Sequence, residues 1–140
     1  MIDELLYAEC CHEAINRNFP MDGNPSIRPY MAIGVAVFCT CYAHLPNRAT
    51  KMWICLITAV STCVDDILNR GQSTENLYRF NERFVNCEPQ GDPVLSAFDA
   101  LMREAPRYYS PLVSNLILTS SLDFASGLLL ERDTRGMHVW

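Results

Sequence analysis

No cluster of lysine or arginine occurs anywhere in this sequence, and the formal net charge is −5. That absence argues against nucleic acid as a partner, because phosphate backbones are held by grouped positive charge. It also sets a condition on any anionic ligand: metal cations would have to bridge it to the protein. No uncharged apolar run reaches the ~18–20 residues of a spanning helix. The longest, "YMAIGVAVFCTCYA" and "MWICLITAVSTCV", fall short. The N-terminus "MIDELLYAECC" carries acids where a signal peptide would be basic and then apolar. The default is a cytosolic protein without a membrane span.

Cys-x-x-Cys pairs are also missing. The seven cysteines include Cys10–Cys11 and Cys39-x-Cys41, but the latter has no matching second half for a zinc site. In a reducing compartment they read as buried thiols, which behave as small hydrophobes. Cys55 and Cys63, eight apart on one helix face, read as core. His12, His44 and His138 are scattered, and no Ser/His/Asp or Cys/His arrangement is visible. Period-2 alternation, the mark of strands, is absent as well.

What remains is a helical pattern in 140 residues, 49% of them hydrophobic, enough for one domain with a core. Asp3 can cap a first helix, "ELLYAECCHEAINR", which ends in the loop "NFPMDGNPSI". Pro29 suits a first helical turn and the run from Tyr30 to Leu45 follows. Asn47 caps a third helix reaching Asp65 or a little beyond, closed by Gly71. Ser73 or Thr74 caps "ENLYRFNERFVNC", in which Arg79, Glu82 and Arg83 read as a solvated face. Asp92-Pro93 opens "VLSAFDALMREA". Pro111 splits or kinks the last segment, "RYYSPLVSNLILTSSLDFASGLLLER", near its start, with Tyr108 and Tyr109 packing before it. About six helices with short loops imply antiparallel neighbours and an all-α helical bundle. Stretches 31–43 and 52–64 are apolar nearly all the way round and belong in the middle of something larger. The expectation is a single domain over residues 1–140 with part of it missing.

The chemistry concentrates in "STCVDDILNRG", residues 61 to 71. Asp65 and Asn69 are four apart and share a helix face, while Asp66 lies about 100° round the axis. Back along the Asp65 face stand Thr62, Ser61, Thr58 and Ile54, the makings of a pocket wall that narrows to a carboxylate rim. Hard oxygen donors of this kind suit Mg²⁺, which keeps several waters and is held by one or two carboxylates plus substrate phosphates. The competing reading is a helix C-terminus turning into solvent. An acidic pair there costs about 0.3–1 kcal/mol per charge against the helix dipole.

An aspartate pair closing the apolar helix after "RPYMAIGVAVFCTCYAHLPNRATKMW", with "SLDFASGLLLE" downstream at residues 121 to 131, resembles the trichodiene-synthase-like family of class I terpene cyclases in fungi. The resemblance covers roughly residues 28 to 132. It implies a Mg²⁺-dependent sesquiterpene cyclase that acts on a prenyl diphosphate, farnesyl diphosphate, and releases diphosphate, in terpenoid metabolism. Carried onto this sequence, Asp65 would be the principal Mg²⁺ ligand, Asp66 a supporting catalytic acid and Asn69 a neutral ligand or hydrogen-bond partner. Thr58 and Thr62 would line the substrate pocket, with Asp123 and Gly127 on a kinked helix opposite.

Three departures stand out. Asn69 replaces an acid. Thr119 stands where close relatives carry a diphosphate-contacting arginine, a bidentate grip that a hydroxyl cannot replace, leaving Arg107, Arg132 and Arg135 as candidates to compensate. The family's second metal motif, of the Asn-Asp-x-x-Ser-x-x-x-Glu type, would lie beyond Trp140, so the chain reads as an N-terminal half. The alternative is a non-catalytic helical remnant whose exposed apolar helices favour self-association, as a homo-oligomer.

Overall fold

Three helix starts follow from side chains that satisfy otherwise orphaned backbone donors. Asp3 accepts from the Leu6 N–H at 3.0 Å, Asn47 from Thr50 at 3.0 Å, and Asp92 from Leu95 at 2.9 Å with Pro93 at the first position. The computed structural model describes residues 2–69, 74–135 and 137, and of Asn69 the backbone alone. The elements are α1 (Glu4–Asn16), a 3-10 turn (Arg28–Tyr30), α2 (Met31–Val37), α3 (Arg48–Asn69), α4 (Glu75–Tyr78), α5 (Phe80–Val85), α6 (Pro93–Glu104) and α7 (Pro111–Asp133). A π turn, Phe38–Tyr42, continues α2, and a 3-10 turn, Ala105–Arg107, follows α6. No strand occurs among the described residues. The fold is all-α, as the sequence predicts. Gly71, Ser73 and His138 lie outside the described residues; His12 and His44 are exposed.

Three element boundaries differ from expectation. Residues 75–87 form two short helices that break at Arg79. Arg83 is drawn inward there, donating to Asn76 at 2.9 Å and to the Gln90 carbonyl at 2.6 Å. It is therefore not part of a solvated face, whereas Arg79 and Glu82 are. Pro111 neither splits nor kinks a helix. It sits at the first position of α7 behind the Ser110 cap, where its missing N–H costs nothing. The run 30–45 ends as an α-helix at Val37, because the backbone widens into the π turn.

The core is organised around α3. Met52, Trp53, Ile54, Cys55, Leu56, Ala59, Val60, Cys63, Val64 and Leu68 are all buried. On one side α2 presses against it at Gly34, where a Cβ would stand 2.2 Å from the Cys55 carbonyl oxygen. On another side α6 contributes Val94, Leu95, Ala97, Phe98, Leu101 and Met102. The Trp53 indole near the start of α3 donates to Leu101 O at 2.8 Å near the end of α6. Val64 and Leu68 meet Val94 and Leu95 at the other ends, so the two helices run antiparallel.

Not every apolar stretch is covered. Ala32, Ile33 and Ala36 of α2 are exposed, so 31–43 is buried on one face only. Helix α7 buries just Ser114, Ala125 and Leu128 and leaves Leu112, Val113, Leu116 and Leu130 in the open. It is also long and apolar enough to cross a membrane. Asp123 interrupts its uncharged run, so the helix exceeds the spans that uncharged length alone suggests. One such helix is weak evidence for a span.

Of the seven cysteines, Cys10, Cys11, Cys55 and Cys63 are buried and all seven are free thiols. A hydrogen bond with Cys55, then burial, push the Cys10 thiol well above its usual range. Cys39, Cys41 and Cys87 are exposed instead, the first two on the open side of the π turn.

Two outcomes follow from this packing. Gly34→Ala forces a methyl into the α3 backbone, so thermal or urea unfolding should show a loss of about 1–3 kcal/mol. Brief alkylation of the native chain should label Cys39, Cys41 and Cys87, with Cys10, Cys11, Cys55 and Cys63 reacting only in denaturant. Peptide mass mapping reads both states.

Candidate active site

Trp53, Ile57, Ser61 and Asp65 stand four residues apart along α3, one side chain per turn on a single slowly drifting row. The first three line an open cleft of about 430 Å³ between α3, α6 and α7. Phe98 closes it from α6, and Val113, Leu116, Ile117, Ser120, Ser121 and Phe124 form its α7 wall. Phe98 meets Phe124 edge-on, with centroids 6.2 Å apart. Asp65 occupies the next position of the row, one turn beyond the hydroxyl of Ser61. The site is thus an aromatic and aliphatic trough whose hydroxyls come from Thr58, Ser61, Ser120 and Ser121.

Both aspartates are half-buried and within the helix, which continues to Asn69. Asp66 opens the last described turn of α3, and neither side chain is fully exposed to solvent. Asp66, about 100° further round, leaves the cleft side and accepts a hydrogen bond from the Tyr30 hydroxyl on the first 3-10 turn. The pair is split: one carboxylate continues the cleft row, the other is tied to the segment before α2.

The structure brings Thr58 into the cleft wall. Thr62 lies outside the wall, and its hydroxyl donates to the Thr58 carbonyl at 2.7 Å. Ile54 is buried in the core; Ile57 and Trp53 take the place expected for it. Asp123 and Gly127 lie exposed on α7 beside the wall formed by Ser120 and Phe124, not in it. Nothing stands within 4 Å of a Cβ built on Gly127, so packing does not demand glycine there. Helix α7 runs unbroken through both. The side chain of Asn69 lies outside the described residues.

The candidate arginines sit at different ends. Arg107 pairs with Glu104 at 3.6 Å. Arg132 donates to the Thr74 hydroxyl, and Thr74 shares a small cavity with Ile67 and Leu68 of the last turns of α3. Of Arg107 and Arg132, it is Arg132 that lies toward the aspartate end of α3. Tyr108 and Tyr109 pack on Trp53, centroids 6.1 and 5.5 Å away, and burial pushes the Tyr109 phenol up.

Among the described residues no three His, Cys, Asp or Glu side chains gather as a metal cage. One carboxylate on the cleft row, beside an acid already engaged by Tyr30, fits a hydrated Mg²⁺ that takes its other oxygens from water and phosphate. The sequence reading missed Trp53, Ile57, Phe98, Ile117 and Phe124. The i, i+4 row from Trp53 to Asp65 was the available signal for the first two; the others needed the α6 and α7 packing.

No family model matches the chain. It is similar to the alpha-cuprenene synthase of Coprinopsis cinerea, 27% identical over 139 residues, 98% of this chain and 42% of that protein. A terpene synthase of Cochliobolus sativus, BipA, is 31% identical over 127 residues, 91% of this chain and 38% of its own. The longiborneol synthase of Gibberella zeae is 28% identical over 127 residues, 91% and 37%. The chain therefore spans about two fifths of the length of these relatives.

The cleft floor yields one stability test. Trp53→Phe keeps an aromatic ring but leaves the buried Leu101 carbonyl without its donor, which should cost about 1–3 kcal/mol in urea unfolding.

Proposed function

We propose that this chain belongs with the terpene synthases it is similar to and carries the aspartate side of a Mg²⁺-dependent sesquiterpene cyclase. The substrate is farnesyl diphosphate, diphosphate is the leaving group, and the branch is the trichodiene-synthase-like one, working in the cytosol. The single observation that supports this reading is the row Trp53–Ile57–Ser61–Asp65. It lays about 18 Å of helix, at 1.5 Å per residue, from an aromatic floor to a carboxylate.

On this reading the isoprenoid tail lies along Trp53, Ile57, Phe98, Ile117 and Phe124, which give it an apolar wall. Their aromatic faces stabilise positive charge that develops on the tail, as they do a bound ammonium group. Asp65, with Asn69 one turn further, would hold the Mg²⁺. The bound metal supplies Lewis-acid stabilisation of the departing diphosphate. Thr58 lines the trough, Thr62 lies outside its wall, Asp123 and Gly127 lie on α7 beside the wall, and Asp66 would support the ligand rather than bind directly. The net charge of −5 gives the metal a further task, since an anionic diphosphate would otherwise meet an acidic protein.

The test is a calorimetric titration of farnesyl diphosphate with and without Mg²⁺. Binding should depend on the metal, and Asp65→Ala should weaken it about tenfold or more. Metal-independent binding, or an affinity untouched by Asp65→Ala, would falsify the assignment.

A further inference from the structure

We propose that Tyr30 is the positioning residue of the acid pair: its hydroxyl ties Asp66, which helix geometry already turns from the cleft, to the segment before α2, and so fixes the rotation at which the last turns of α3 present Asp65. The proposal rests on the reading of Asp65 as the metal ligand and extends it to a residue outside α3. Helix geometry turns Asp66 about 100° from Asp65, and only if that rotation is kept does Asp65 alone face the cation. The Tyr30 hydroxyl donates to Asp66 across 36 residues of sequence, and so does two things. It occupies one Asp66 oxygen, and it restrains rotation of the last turns of α3.

The tyrosine can bear that load because its own segment is anchored. Ile27, fully buried, donates to Pro20 O at 2.7 Å, and Tyr30 N–H closes the turn onto Ile27 O at 2.9 Å. The Ser26 hydroxyl donates to Met21 O at 2.6 Å. Arg28 spans the same loop, its Nε reaching Met21 O at 3.2 Å. From α3, the Cys63 thiol donates to Ser26 O at 3.8 Å. Tyr30, Ser26, Pro25, Cys63 and Ile67 together wall a cavity of about 170 Å³ beside the tie. Asp66 is three residues on from Cys63, on this face of α3, not on the face of Ser61. A phenol suits the task better than a longer cationic side chain. It has few rotatable bonds, and it donates to one oxygen without offering the fork that would draw in both carboxylates.

The experiment uses the whole chain and Mn²⁺ alone as the probe, read by the electron paramagnetic resonance of the free hydrated ion. Tyr30→Phe removes only the hydroxyl. It should weaken Mn²⁺ binding about tenfold, the usual effect of losing a residue that orients a metal ligand. Helical circular dichroism should be retained. In an Asp66→Ala background the same change should add nothing, because the partner is gone. Hydrogen exchange of the amides of residues 65–68 should accelerate in Tyr30→Phe. Unchanged exchange there overturns the tie whatever the metal does. Faster exchange with unaltered Mn²⁺ affinity reduces Tyr30 to a structural contact and overturns the positioning role. Mn²⁺ binding that survives Asp65→Ala but falls in Tyr30→Phe keeps the tyrosine and removes Asp65 as the ligand. A chain that takes up no Mn²⁺ overturns both.

Discussion

The contact of Gly34 with the Cys55 carbonyl is the constraint on which the other geometry depends. With no side chain between them, α2 and α3 meet backbone to backbone, and the rotation of α3 about its own axis is no longer free. That rotation decides which apolar residues of α3 face α2 and which face α6, while its strip of Thr58, Ser61, Thr62 and Asp65 stays half-buried on the remaining side, so 52–64 is not apolar all the way round. The Trp53 bond to Leu101 secures the same orientation from the α6 side. Between these two contacts α3 has one setting, and the row from Trp53 to Asp65 inherits it.

Polar contacts then fasten the shell around that axis. Arg17 bridges α1 to the end of α6 through Glu104 while pairing with Glu13 at 2.9 Å. Asp99, nearly buried, accepts from Gln90 and from Arg103, both at 2.6 Å. Arg103 reaches on to the Phe84 carbonyl at 2.6 Å and lies over the Phe84 ring, 4.1 Å from its centroid. A buried acid is tolerable only when paired and hydrogen-bonded in this way. The result ties the 84–90 connection to α6, so the short helices α4 and α5, too brief to stand alone, are held by their neighbours. Asn81 extends the same fastening to α7 through Leu122 O and the Ser126 hydroxyl.

Against this anchored interior, the outer faces of α2 and α7 are sparsely covered. The cleft opens on the same side as the bare face of α7, since Val113 and Leu116 belong to both. On the proposed reading, an apolar trough with Asp65 on the next turn of the helix would serve a ligand that is apolar at one end and anionic at the other, once a cation joined the two negative partners. Neither the trough nor the acid implies that chemistry alone. A trough without Asp65 is a core defect, and an acid pair without the trough is a solvated turn.

Much of this was legible from local chemistry. Asp3, Asn47 and Asp92-Pro93 cap their helices because capping is settled within four residues of chain, and the all-α class follows from periodicity. The acid pair near the end of α3 was likewise visible, and the proposed function rests on it. Other features depended on partners distant in sequence: the break at Arg79, where Arg83 turns to Gln90; the exposure of Cys39 and Cys41; the exchange of Ile54 for Ile57 in the cleft. The sequence alone determined that this chain is helical, where most of its helices start, and that two carboxylates sit side by side on α3. Which of them continues the cleft and which is held by Tyr30 was decided by tertiary structure. The strip of small and polar side chains on α3, Thr58, Ser61, Thr62 and Asp65, marks in the sequence the face left out of the core, but which helix meets each remaining side, and that Tyr30 reaches Asp66, is settled only when Gly34, Leu101 and Tyr30 are packed against it.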